Sequence, residues 1–176
     1  MKVKNLTRAA IIAAIYALGT YFLGSFGTNI IQVRVTEVLT VLPYFDPTAI
    51  LGVSLGCFLA NILGGLGPWD VFGGTLITLI AAILTSKTRN KLLALSWPIL
   101  LNAFGVSAYL SAIFGQPYWF TVFSIFAGEF ISIGVLGFPV MLYLEKNASI
   151  LGLDNQWVKD VRYKSADAKN KKEKIL

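Results

Sequence analysis

Long apolar runs alternate with short polar or turn-forming stretches along most of the chain. Bounded by glycine, proline or charge, they fall at residues 6–24, 36–45, 48–64, 71–86, 92–114 and 118–145. A helix needs about 20 residues to cross a bilayer, so the runs predict membrane spans, the second of them short. A short helix is tolerated where protein or a water-filled cavity covers its end. The pattern predicts an all-α integral membrane protein, a six-helix transmembrane bundle with a short second helix.

Composition supports a membrane protein. The chain is 56% hydrophobic and only 14% charged, which is too little charge for the exterior of a soluble domain. The first run lacks a small-residue cleavage site followed by polar sequence, so it is predicted to be a retained span. Pro43 and the Asp46-Pro47 pair are predicted to close the second helix. Residues 1–146 then form the membrane domain, and residues 147–176 form a basic cytoplasmic tail.

The positions of the basic residues predict the orientation. With six spans, fourteen of the fifteen Lys and Arg residues fall on one side, and only Arg34 falls on the other. The positive-inside rule then places both termini and the 87–91 loop in the cytoplasm. An alternative with 36–64 as one helix would separate the basic clusters. Because topology explains the basic residues, they are not taken as a nucleic-acid site.

Several kinds of chemistry are excluded by what the sequence lacks. Cys57 is the single cysteine and there is no histidine, so neither an internal disulfide nor a histidine-ligated metal site is possible. No G-x-x-x-x-G-K-[ST] motif is present to hold ATP phosphates. A nucleophile–histidine pair is equally impossible. The chain is predicted to be a transport or binding protein and not an enzyme, with no metal and no cofactor.

Polar residues of the spans cluster toward the predicted outer side. An ionisable residue within a membrane costs about 2.5–3.5 kcal/mol, so it normally faces a cavity or a partner. Carboxylates, amides and aromatic rings at one level suit a flat heterocycle in an outward-facing pocket. The predicted substrate-binding residues are Arg34, Glu37, Asn61, Trp69, Asp70, Asn102, Tyr118, Trp119 and Glu129.

Structural interpretations of the same residues stay open. Arg34 and Glu37 are three residues apart and could pair with each other. The aromatic residues could form an interfacial belt, and the two asparagines could hydrogen-bond between helices. Glu129 has no Lys or Arg at its depth in any span, which favours a functional role.

The first span has small residues at regular spacing. Ala9, Ala13 and Ala17, and also Ala10 and Ala14, recur every four residues. Such faces let another helix approach closely. They could pack within this bundle or dock onto a separate membrane subunit.

Three motifs resemble a known family. They are V-R-V-T-E-x-L at 33–39, L-G-x-x-L-A-N at 55–61 and G-G-L-G-x-x-D at 64–70. With the alanine-rich first helix, residues 1–146 resemble the queuosine-precursor (QueT) family, the substrate-binding S-components of energy-coupling factor (ECF) transporters.

The resemblance implies a function. The substrate would be a queuosine precursor of the 7-deazaguanine type, bound near the outer face. The partners, in a bacterial plasma membrane, would be an EcfT-like transmembrane coupling subunit, docked on the face of Ala9, Ala13 and Ala17, and two EcfA-like ATPase subunits. The alternatives are an S-component for another vitamin-like substrate, a solitary facilitator or secondary transporter, and a structural membrane protein without a ligand.

Overall fold

A computed structural model describes residues 3–23, 26–27, 32–148 and 152. Within this part of the chain, six helices form one bundle, and a two-residue antiparallel pairing follows the first of them. The elements are α1 (Val3–Leu23), β1 (Phe26–Gly27), β2 (Gln32–Val33), α2 (Val35–Tyr44), α3 (Thr48–Leu63), α4 (Asp70–Lys87), α5 (Lys91–Phe114) and α6 (Tyr118–Asn147). The predicted all-α six-helix bundle is confirmed. The predicted tail lies almost entirely outside the described residues.

The helices differ in length. α1, α4, α5 and α6 are long and apolar enough to cross a membrane, whereas α2 and α3 are shorter apolar helices. The second helix is short, as predicted. It is a 3₁₀ helix of ten residues, about 20 Å long at 2.0 Å per residue, compared with about 30 Å for the hydrocarbon core.

The turn between α2 and α3 differs in detail from the prediction. Pro43 lies inside α2, one residue before its end. Asp46 Oδ1 accepts a hydrogen bond of 2.8 Å from the backbone N–H of Thr48, so Asp46 also caps the start of α3. The Asp46-Pro47 pair thus separates two helices by ending one and beginning the next.

α1 packs closely against α3 because α3 carries glycine at the contact. A Cβ atom at Gly56 would lie 2.6 Å from Tyr16 Cβ, and one at Gly52 would lie 2.8 Å from Ile12 Cβ. Only glycine allows this separation. The opposing face of α1 consists of the buried Ala9, Ala13 and Ala17.

This packing changes the interpretation of the alanine pattern. Ala9, Ala13 and Ala17 are buried within the chain and are not presented as a docking surface. Ala10 and Ala14 are exposed. The two alanine rows therefore have different surroundings, a distinction that spacing alone could not make.

Charged side chains form ion pairs at one end of the bundle. Arg8 Nη1 lies 3.1 Å from Asp46 Oδ2, and Lys91 Nζ lies 2.6 Å from Glu145 Oε2. Arg8 Nη2 also donates to the carbonyl of Gly152. We call this the ion-pair end. A core containing Val41, Phe45, Leu95, Ile133 and Met141 lies next to it.

Candidate substrate-binding cavity

A cavity lies at the other end of the bundle, which we call the cavity end. Its volume is about 360 Å³, within the range of about 300–1,000 Å³ that is usual for small-molecule sites. Six predicted site residues line it: Arg34, Glu37, Asn61, Asp70, Asn102 and Glu129. They come from five helices and from the residue before α2, so the tertiary fold brings them together.

The lining follows helical periodicity. Side chains three or four positions apart share one face of a helix, and each of the helices α3 to α6 contributes one such stripe. The stripes are Cys57 and Asn61 on α3; Asp70, Gly74 and Thr78 on α4; Asn102, Val106, Tyr109 and Leu110 on α5; and Phe120, Thr121, Ser124, Ile125, Gly128 and Glu129 on α6.

Three helices change to π-helical geometry beside the cavity. The π stretches are Asp70–Gly74 in α4, Asn102–Val106 in α5 and Phe130–Gly137 in α6. The first two begin at a polar cavity residue, and the third begins directly after Glu129. Because π segments are rare and are frequent at functional sites, the first two stretches independently mark this end of the bundle, whereas the third runs on into the core that contains Ile133.

Glu129 has a neutral partner. Asn102 Nδ2 donates to Glu129 Oε1 over 2.9 Å. Glu129 Oε2 is buried and has no hydrogen-bond partner among the described residues. The sequence predicts no Lys or Arg partner for Glu129 within the spans. The Asn102 amide on the neighbouring helix therefore satisfies one of the two carboxylate oxygens of Glu129.

Glu37 is arranged in the same way. It is buried near the start of α2, and the Tyr16 hydroxyl of α1 donates to its Oε1. Within the described part of the chain, Glu37 Oε2 is buried and also lacks a partner. Two carboxylates of one cavity therefore each retain a buried oxygen that can accept a hydrogen bond.

Arg34 does not pair with Glu37. The two ion pairs found among residues 3–23, 26–27, 32–148 and 152 are both at the ion-pair end. Arg34 is half-buried at the residue before α2 and lines the cavity. Its guanidinium carries a permanent charge and five donors. The structure thus does not show the mutual pairing of Arg34 and Glu37.

Asp70 is held by two neighbours. Tyr109 Oη donates to Asp70 Oδ1 over 2.8 Å, and Asn61 Nδ2 donates to the backbone carbonyl of Asp70 over 2.8 Å. These bonds link α3, α4 and α5 around one side of the cavity. Asn61 therefore lines the cavity and also connects helices, which combines both interpretations of this residue.

The predicted aromatic residues lie elsewhere. Trp69, Tyr118 and Trp119 do not line the cavity, and Trp69 and Trp119 are 53% and 73% exposed. Their positions fit the interfacial belt. The aromatic side chains at the cavity are Tyr109 and Phe120, which the selection from sequence had omitted.

Other lining residues were also missed. They include Cys57, Thr78, Gln116, Thr121 and Ser124. Most were detectable in principle, because stepping three or four residues from Asn61, Asp70 or Glu129 reaches them along one helix face. Gln116 follows no such rule, since it belongs to the connection between α5 and α6.

A protein-family model described as QueT transporter matches residues 6–146. The chain belongs to the QueT transporter family. This confirms the resemblance carried by the motifs at 33–39, 55–61 and 64–70. No curated protein and no solved structure matches the chain. Family membership and the apolar helices together identify a membrane transporter.

Proposed function

We propose that this QueT-family chain is the substrate-binding S-component of an ECF-type importer and that its cavity binds a queuosine precursor of the 7-deazaguanine type. The observation that carries the proposal is a pair of buried oxygens at one cavity, Glu37 Oε2 and Glu129 Oε2, that have no hydrogen-bond partner among the described residues. An unsatisfied buried acceptor is costly. A ligand that supplies donors at both positions removes that cost.

A deazaguanine has the required donors. Its guanine edge presents N1–H and a 2-amino group, both suited to a carboxylate. An aminomethyl substituent adds a cation, which a second carboxylate binds through a charge-assisted hydrogen bond. The cavity is lined by three carboxylates and one guanidinium. This balance favours a positively charged ligand over a neutral one of the same shape.

The remaining lining suits a flat heterocycle. Tyr109 and Phe120 offer aromatic surfaces to a planar ring, and Arg34 offers donors to a carbonyl oxygen. Asn102 and Tyr16 already donate to the two glutamates, so they hold those carboxylates in place for the ligand.

Charge supports an outward orientation of the cavity. The described basic residues other than Arg34 are Lys4, Arg8, Lys87, Arg89, Lys91 and Lys146, toward the opposite end of the bundle. The positive-inside rule assigns that end to the cytoplasm. The cavity end then faces outward, where an importer collects its substrate.

Delivery driven by ATP requires partners, since the chain carries no ATP-binding motif. We assign these roles to an EcfT-like coupling subunit and two EcfA-like ATPase subunits. The docking row on α1 is then the exposed one, Ala10 and Ala14, because the other alanine row is occupied by α3. Small side chains in the exposed row permit close approach of another helix.

A ligand screen tests the binding proposal. Detergent-solubilised protein is heated with 7-aminomethyl-7-deazaguanine, 7-cyano-7-deazaguanine or common vitamins. A ligand at a hundred times its Kd stabilises by about 2.7 kcal/mol, so we expect a clear rise in melting temperature with the aminomethyl compound. The double variant E37Q/E129Q should lose that rise. Stabilisation by a vitamin alone would assign a different substrate, and stabilisation by none would contradict a binding role.

A second experiment tests the partners. The tagged chain should co-purify with a coupling subunit and two ATPases, whereas a solitary facilitator should not. A14W should reduce uptake and leave binding by the isolated chain unchanged. A112W, at another exposed alanine on α5, is the matched control and should retain uptake. Equal loss of uptake in both variants would argue against docking at α1.

A further inference from the structure

One hydroxyl at the cavity differs from its neighbours. Hydroxyl side chains of Thr78, Tyr109, Thr121 and Ser124 line the cavity. Three of them donate to protein acceptors: Thr78 to Cys57 Sγ, Tyr109 to Asp70 Oδ1 and Thr121 to the Pro117 carbonyl. Ser124 Oγ is buried and has no partner among the described residues.

A local acceptor lies within reach of a serine in this position. A serine inside a helix can donate to the carbonyl four residues earlier, and Ser54 does so toward Ile50 over 2.8 Å. Ser124 does not use this local acceptor. With Glu37 and Glu129, it is one of three cavity residues that have a buried side-chain oxygen atom without a hydrogen-bond partner in the described part of the chain.

Resting on the proposed function, we propose that Ser124 is a further substrate-contacting residue that hydrogen-bonds the ligand at a different point from Glu129. The two residues are five positions apart on α6, about 7.5 Å along the helix axis. Ser124 is nearer the cavity end. A hydroxyl both donates and accepts, so it can adapt to either kind of group on the ligand.

The proposal predicts opposite effects on the free and the bound protein. Without ligand, the unpartnered hydroxyl is unfavourable, so S124A should leave the free protein as stable as before or slightly more stable. With ligand, the variant lacks one hydrogen bond, so affinity should fall. A purely structural serine would not lower affinity when replaced.

The chain offers matched controls. Ser107 and Ser132 also have buried side-chain oxygens without a partner in the described residues, but neither lines the cavity. S107A and S132A therefore repeat the chemical change of S124A away from the candidate site.

Calorimetric titration of the full-length chain in detergent with 7-aminomethyl-7-deazaguanine provides the test. We expect S124A to bind about fivefold more weakly, whereas S107A and S132A stay within about twofold of the wild type. The melting temperatures of the three unliganded variants should equal or exceed that of the wild type. In the double variant S124A/E129Q the two fold-losses of affinity should multiply, because the free-energy changes from two separate contacts add.

The outcomes separate the two proposals. If the wild type binds and S124A binds like S107A and S132A, Ser124 does not contact the ligand while the proposed function stands. A double variant no weaker than E129Q alone would also overturn a direct contact. Failure of the wild type to bind the probe overturns the proposed function for this ligand class, and the Ser124 assignment with it.

Discussion

The two ends of the bundle treat charge in opposite ways. At the ion-pair end, Asp46 contacts Arg8 and caps α3, and Lys91 meets Glu145. At the cavity end, Glu37 and Glu129 each receive one neutral donor and retain one unpartnered oxygen within the described residues. At the ion-pair end, charged side chains connect helices to one another. At the cavity end, buried carboxylate oxygens can still accept hydrogen bonds.

From this difference we expect the two ends to contribute differently to stability and to binding. Buried acceptors without partners lower stability, and natural proteins retain such features mainly at functional sites. Substitutions at the ion-pair end should therefore change the free energy of unfolding. Substitutions at the cavity end should change affinity.

The largest effect is expected from D46A. It removes a largely buried ion pair with Arg8 and the cap of α3, so the free energy of unfolding should fall by about 2–4 kcal/mol. Denaturant titration of the solubilised protein measures this. E145A removes the more exposed pair with Lys91 and should cost less than about 1 kcal/mol. Similar losses in D46A and E145A would show that burial does not distinguish the two pairs.

E129Q should have its main effect on binding. The side chain keeps its shape and can still accept from Asn102, but a charge-assisted bond to the ligand, worth about 1.5–3 kcal/mol, is lost. Affinity for 7-aminomethyl-7-deazaguanine should fall about ten- to hundredfold by calorimetry. D46N, a charge removal at the other end, should leave affinity nearly unchanged. An E129Q protein with a sharply lower melting temperature and normal affinity would make Glu129 structural.

Y109F should weaken binding moderately. Tyr109 donates to Asp70, and losing this bond frees the carboxylate to move, so affinity should fall about fivefold. Y118F is the matched control, because Tyr118 lies outside the cavity. The same calorimetric titration compares them. Equal affinities of the two variants would show that the position of Asp70 does not matter to the ligand.

W119L should have the smallest effect. Trp119 is 73% exposed and outside the cavity. The affinity of W119L for 7-aminomethyl-7-deazaguanine should therefore remain within about twofold of the wild type. F120L, at the adjacent cavity residue, should bind more weakly because it loses an aromatic surface. Binding titrations of W119L and F120L show whether Trp119 belongs to the interfacial belt or to the binding site. A strong loss in W119L would bring this tryptophan back into the site.

The sequence by itself determined the class of architecture. Apolar runs separated by turn residues specify membrane helices, because backbone polar groups must be satisfied internally in lipid. Pro43 and the Asp46-Pro47 pair located the break between α2 and α3. The motifs at 33–39, 55–61 and 64–70 identified the family. Each of these features involves residues close together in the sequence, so the sequence alone is enough to recognise it.

The tertiary structure decided which residues meet. Spacing could not tell the buried Ala13 from the exposed Ala14, because that depends on Gly52 and Gly56 of another helix. Nor could it show that Asn102 reaches Glu129 or that Trp119 faces away from the cavity. Both depend on how the helices are rotated about their axes. That rotation is fixed by packing between residues far apart in sequence.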